Sequence, residues 1–137
     1  MRVLDLGCGR DKVAGAVGVD RCPGPGVDVV ADLDRYPWPL PDGAFDAIHF
    51  NSSLEHLDNV LLALREVWRV AAPGCRVFIN VPHFSSADCH ADVTHQRGFS
   101  WFSFDRFLVG HPESDPRACA FRLVSRKLEM WPLCERI

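Results

Sequence analysis

The chain has 137 residues, with 15 Lys and Arg against 18 Asp and Glu and a formal net charge of −3. One domain spanning residues 1–137 with a substantial core is expected at that length, and the acidic balance argues against nucleic-acid binding by phosphate neutralisation. No apolar run approaches the ~18 residues of a membrane span, no signal-peptide pattern opens the chain, and its six Cys contain no Cys-X-X-Cys pair, so free thiols in a reducing cytoplasm are expected.

In chain order, residues 2–6 read as a buried strand that runs into Gly7-Cys8-Gly9, a turn over which a ligand can lie without a Cβ in the way. A second strand over 16–20 ends in Asp20. Cys8 to Gly15 leaves scarcely room for a helical turn between them. Cys22-Pro23-Gly24-Pro25-Gly26 excludes a helix before strand three at Val27–Ala31. An extended proline-rich loop, Tyr36 to Pro41, precedes strand four at Phe45–Phe50. With both early crossovers this short, one sheet face is expected to be thinly covered, with Trp38 and the prolines helping to cover it.

The best helix spans 58–70, with Leu57, Val60, Leu61, Leu64, Val67, Trp68 and Ala71 on one face. Asp58 or Asn59 can cap it, and Ala72-Pro73-Gly74 stops it. Strand five is Arg76–Val81. A loop from Pro82 to Arg97, a short helix near Ser103–Leu108 and strand six at Phe121–Met130 follow. Arg65, Arg69 and Arg76 read as a solvated face.

An acid at the end of strand two is placed to accept hydrogen bonds from both ribose hydroxyls. With the Gly-X-Gly turn it points to an adenosine-containing cofactor at the carboxyl ends of parallel strands. A nicotinamide fingerprint needs a third glycine, where Lys12 stands, and an acid farther along the chain.

Leu-Asp-Leu-Gly-Cys-Gly (4–9) resembles motif I of the class I S-adenosylmethionine (SAM) methyltransferases. Further matching stretches follow in order: Gly-Val-Asp (18–20), Asp-Leu-Asp with the Pro-Trp-Pro loop (32–39), Pro-Asp-Gly-Ala-Phe-Asp-Ala-Ile (41–48), Leu-Glu-His-Leu (54–57), Ala-Pro-Gly (72–74), Val-Pro-His-Phe (81–84) and Asp92-Val93-Thr94-His95. The resemblance, to a compact methyltransferase type 11-like branch, covers Val3 to about Phe107. It implies a minimal Rossmann-like α/β sandwich, a mostly parallel sheet of order 3-2-1-4-5-(7)-6, with SAM bound above strands one, two and four. Strand seven would have to come from Trp131–Ile137, and the open edge left by an incomplete hairpin would be covered by a homodimer.

By the same resemblance Asp5 and the Gly7–Gly9 backbone, with Cys8 between, face the methionyl part. Asp20 holds the ribose, Asp32 approaches the adenine amine and Leu33 flanks the ring. An Asx turn is the competing reading of Asp32. The loop after strand four, Asn51-Ser52-Ser53, abuts the methyl group. It lacks the Asn/Asp-Pro-Pro-aromatic motif of base-amine methylation, which leaves a small-molecule or peptide acceptor as the expectation.

His83, His95 and Asp92 are the acceptor-side candidates. Either histidine suits a general base near neutral pH, and Asp92 would orient one of them. The spacing of His83, His90 and His95 matches no standard zinc pattern, so no metal is expected. Phe99, Trp101, Phe102, Phe104 and Phe107 read as core packing, or as an apolar acceptor pocket. A SAM-binding module without catalysis and a nicotinamide-dependent oxidoreductase are the alternatives to methyl transfer.

Overall fold

A computed structural model describes residues 1–114 and 119–129. The sheet is parallel throughout, ordered β3-β2-β1-β4-β5. Its strands are β1 (Val3–Leu6), β2 (Val17–Asp20), β3 (Val29–Val30), β4 (Phe45–Asn51) and β5 (Ala71–Asn80). The 3-2-1-4-5 portion of the expected order is therefore present. Among the described residues 121–129, strand six is not formed; Phe121 makes only an isolated bridge with Leu108. The segment assigned to strand seven, Trp131–Ile137, lies outside the described residues.

The chain divides into two compact units, Met1–Ser100 and Trp101–Ile137. The first holds the sheet and the helices α1 (Val60–Val70) and α2 (Ala87–Ala91). In the second, a 3-10 turn at Asp105–Phe107 carries the Leu108–Phe121 bridge. There Arg126 lies over the Trp101 ring and ion-pairs with Asp105. Of the aromatic cluster, Phe99 is buried as a core residue, whereas Trp101 and Phe102 are exposed.

No helix separates β1 from β2 or β2 from β3. The first connection is held by polar contacts instead. Lys12 Nζ lies 2.7 Å from Asp28 Oδ2, which also accepts from Gly18 N at 2.7 Å. These two donors hold the Asp28 carboxyl below the usual carboxylate range.

Strand residues alternate between sheet faces, and the two faces differ. Leu4, Leu6, Ile48 and Phe50 are fully buried. On the other face, His49 and its β5 partner Phe78 stack at 4.6 Å, with Phe78 47% exposed. That exposure is confined to the β4–β5 side: on the same face Asp5 and Ala47 are buried, so the thin cover expected over the short crossovers is not seen at β1.

The proline-rich loop supplies core in place of a helix. Trp38 and Leu40 are buried, and Trp38 Nε1 donates to Leu33 O at 3.0 Å. Arg69 is no solvated residue: its guanidinium donates to Trp38 O and Leu40 O at 3.1 and 2.9 Å, and pairs with Glu66 and Asp42. Glu66 in turn accepts from Trp38 N at 2.8 Å. One arginine on α1 thus binds the loop that crosses it.

Helix α1 begins where Asn59 Oδ1 accepts from Leu62 N at 3.0 Å. It buries Ala63, Leu64, Val67 and Val70, while Leu61 and Trp68 are exposed. The packed stripe is therefore rotated from the one the apolar spacing suggests. In β5, Ala71 pairs with Phe45 and Arg76 with Ala47, so Ala72–Cys75 bulges out of register before regular pairing resumes.

Candidate functional site

A cavity of about 320 Å³ opens at the carboxyl ends of β1 and β4, lined by Asp5, Gly7, Cys8, Gly9, Arg10, Asp11, Asn51 and Ser52. That volume lies at the small end of the range for ligand pockets. Six of the lining residues are ones the sequence singles out. Arg10 and Asp11 were missed; their only signal was adjacency to Gly9.

The turn after β1 needs glycine. Gly7 sits at φ +73°, and a Cβ on it would stand 2.5 Å from Ser53 Cβ. Gly9 has φ +51° with open space where a Cβ would project, so its surface is free for a ligand. The N–H groups of the turn are already engaged. Gly7 N and Cys8 N donate to Val19 O at 2.8 and 3.1 Å, and Gly9 N donates to Asp20 Oδ2 at 3.0 Å. A pyrophosphate is normally held by free N–H groups at such a turn; this one has spent them on the end of β2.

The carboxylates supply the opposite preference. Asp5 is only 2% exposed. Its Oδ2 accepts from Val13 N at 2.8 Å, while its Oδ1 is buried with no partner among the described residues. Asp5 lines the cavity, and a buried carboxyl group with an unpaired oxygen favours a cationic or N–H-bearing ligand. Asp20 does not line the cavity; it reaches the turn that does through Gly9 N, and its Oδ1 accepts from Cys22 N at 3.0 Å. Cys8 is buried, and burial first, then Asp5 and Asp20, pushes its thiol pKa up. It packs as a neutral thiol.

Ser52 is the one non-glycine residue at positive φ among those described, at +51°. Its N–H donates to Asn80 O at 2.9 Å, and Asn51 Oδ1 accepts from Asn80 Nδ2 at 3.0 Å. Backbone in this region costs roughly 1–3 kcal/mol and persists where its surroundings fix it. Here β5 fixes it, and the bend turns the end of β4 across the cavity.

Asp32 and Leu33 do not line the cavity. Asp32 accepts from Asp34 N at 3.0 Å and Arg35 Nε at 3.3 Å, an Asx turn into the proline-rich loop. Leu33 is buried.

The acceptor-side candidates fall into two places. His83 Nδ1 is 2.8 Å from Ser85 Oγ and accepts from Ser85 N at 3.3 Å, so its Nε2 carries the proton in the neutral ring. Asp92 bonds to neither predicted histidine. Its Oδ1 accepts from Thr94 N at 2.8 Å and Thr94 Oγ1 at 2.7 Å, and those two bonds hold its carboxyl below the usual range. Thr94 Oγ1 then meets His56 Nδ1 at 2.9 Å, and the His56 ring lies edge-on to His95 at 4.7 Å. Beside them Glu55 is buried, and desolvation raises its pKa. Glu55 and His56, which the sequence marks only within the matching Leu-Glu-His-Leu stretch, form a 3-10 turn, Leu54–His56, after β4.

Among the described residues, no helix is long and apolar enough to cross a membrane.

The model of a family described as "Methyltransferase domain" matches residues 1–118. Among solved structures, a SAM-dependent methyltransferase from Archaeoglobus fulgidus is similar with a TM-score of 0.59 and 27% identity, over 72% of this chain and 54% of that one. The YcgJ protein of Bacillus subtilis has the same fold, with a TM-score of 0.59 and 22% identity, over 76% of this chain and 58% of its own. The chain thus spans little more than half the length of these structural relatives. None of the curated proteins matches it. The parallel sheet, the glycine turn under an acid-lined cavity and the family match over most of the sequence agree, and the chain belongs to the methyltransferase-domain family.

Proposed function

We propose that this domain binds SAM in the cavity beyond β1 and β4 and directs methyl transfer to a small-molecule or peptide acceptor. The observation that carries this reading is Asp5, a cavity-lining carboxyl group that is buried and has an unpartnered Oδ1, beside a turn whose N–H donors are spent. That pairing suits a ligand with a positive ammonium and sulfonium. It does not suit a pyrophosphate.

SAM, when bound, supplies a methyl group already activated by its sulfonium. The residues then have to bind, align and exclude water. Asp5 accepts from the ligand's ammonium, Arg10 meets its carboxylate and Asp20 accepts from its ribose hydroxyls. Asp32 and Leu33 serve the adenine side, Asp32 by leaving its Asx turn. Asn51 and Ser52 border the reacting end. On the acceptor side His83 offers an Nε2–H donor that orients an acceptor oxygen or nitrogen. His95 Nδ1 must donate to Cys89 O, 3.0 Å away, so its Nε2 keeps a lone pair for an acceptor proton. Asp92 is a positioning residue that acts through Thr94 and His56.

The test is an acceptor screen that follows formation of the demethylated cofactor product. Turnover with at least one acceptor is expected, with His83→Ala lowering kcat more than it raises KM. Cofactor binding without turnover on any acceptor would favour the non-catalytic module.

A further inference from the structure

We propose that Glu55, His56 and His95 form a binding site for a divalent transition-metal ion, a two-histidine, one-carboxylate set separate from the cofactor cavity. One ring nitrogen of each histidine and one carboxylate oxygen lie within 4.8 Å of one another. Bonds of about 2.0–2.2 Å need such atoms roughly 3–3.5 Å apart, so the side chains would draw together on binding.

Proton counting says what the cluster lacks. The Cys89 carbonyl can only accept, so His95 Nδ1 carries its proton and Nε2 is a lone pair. Thr94 donates its one hydroxyl proton to Asp92 Oδ1, 2.7 Å away, so its oxygen accepts from His56 Nδ1 at 2.9 Å. The His56 Nε2 is then also a lone pair. Glu55, 1% exposed, has an Oε2 with no partner among the described residues. With Glu55 ionised, the three groups offer one another acceptors and no donor, and a cation is the partner that satisfies them.

The outer contacts are those that metal-bound histidines use. Each ring's second nitrogen is anchored, one to a backbone carbonyl and one through Thr94 to a carboxylate. The loop that brings His95 is held independently. Gln96 N donates to Glu55 O at 2.8 Å, and Arg97 donates to Leu57 O and, at 2.9 Å, to Asp58 O. Mixed nitrogen and oxygen donors suit Zn²⁺, Fe²⁺, Co²⁺ or Mn²⁺ rather than Ca²⁺. Three protein ligands leave positions open for water. With the metal bound, His95 Nε2 would no longer be available as proton acceptor; a metal-bound hydroxide, its proton lost to solvent, would take that role, and the site itself does not depend on methyl transfer.

The probe is Co²⁺ added to the whole chain, read by visible absorption. One ion per chain is expected, without the thiolate charge-transfer band that cysteine ligation would give. His56→Ala and His95→Ala should abolish it. Thr94→Val, which touches no ligand atom, should weaken it about 10–100-fold; His90→Ala should leave it unchanged. Selective paramagnetic broadening of the His56 and His95 ring protons in the wild-type chain gives the same answer if an alanine variant fails to fold. No Co²⁺ binding by the wild-type chain, a sulfur-ligated spectrum, or unchanged binding in folded His95→Ala would each overturn the proposal. The first of these would mean that the cluster holds a proton in place of a metal ion.

Discussion

Asp5 and Glu55 are both buried carboxylates with a vacant oxygen, and each is costly to folding unless a ligand arrives. For Asp5 the expected ligand is cationic. Asp5→Asn keeps the shape and removes the charge, so it should weaken SAM binding by roughly 10–100-fold, the scale of one hydrogen bond to a charged group. For Glu55 the prediction concerns stability. Its pKa is raised by burial, so the metal-free fold loses stability as pH climbs from the ordinary carboxylate value through the raised one. Glu55→Gln should therefore be more stable than wild type at neutral pH in the presence of a chelator. The two should converge at low pH, where Glu55 is protonated in both folded and unfolded chains. Denaturant titration at two pH values measures this; an equal gain at both would contradict it. Gly7→Ala should cost roughly 1–3 kcal/mol through overpacking against Ser53.

At the scale of elements, the proline-rich loop stands in for a missing helix and depends on α1 for its anchor. Arg69 lies under Trp38 and Leu40, and the guanidinium holds the Glu66 carboxyl below the usual range. A depressed carboxyl contributes stability above its unfolded value, about 4.3, and loses it as pH falls through the folded one. Arg69→Met should therefore cost about 1–2 kcal/mol at neutral pH and flatten the acid limb of the stability profile. An unchanged acid limb would mean the pair does not hold the loop. Asn59→Ala should cost about 1 kcal/mol by uncapping α1. Strands β1, β2 and β4 were legible because short apolar runs are broken sharply, β1 by Gly7-Cys8-Gly9, β2 by Asp20 and the Pro-Gly stretch after it, and β4 by Asn51-Ser52. The stripe of α1 was misread because Leu61 and Trp68 fit helical spacing as well as Ala63 and Val70 do; only packing decides between them. Helix α2 escaped notice because five residues carry too little periodicity to register.

For the whole molecule, the family was legible from the order of many weak motifs, each needing its neighbours. The Glu55–His56–His95 grouping was not. It joins residues 39 positions apart, and only the loop held by Gln96 and Arg97 brings them together. Cofactor binding to the native fold should add visibly to its stability. At a hundred times its dissociation constant, SAM should stabilise the fold by about 2.7 kcal/mol, read as a concentration-dependent rise in melting temperature. The central claim is that the acid-lined cavity binds SAM. It is tested most directly by calorimetric titration of the chain with SAM and with its demethylated product, using Asp20→Ala as the comparison. Saturable one-to-one binding of both, weakened at least ~10-fold in the variant through loss of charged hydrogen bonds, is the predicted result. Binding that is absent in wild type, or that Asp20→Ala leaves unchanged, would contradict it.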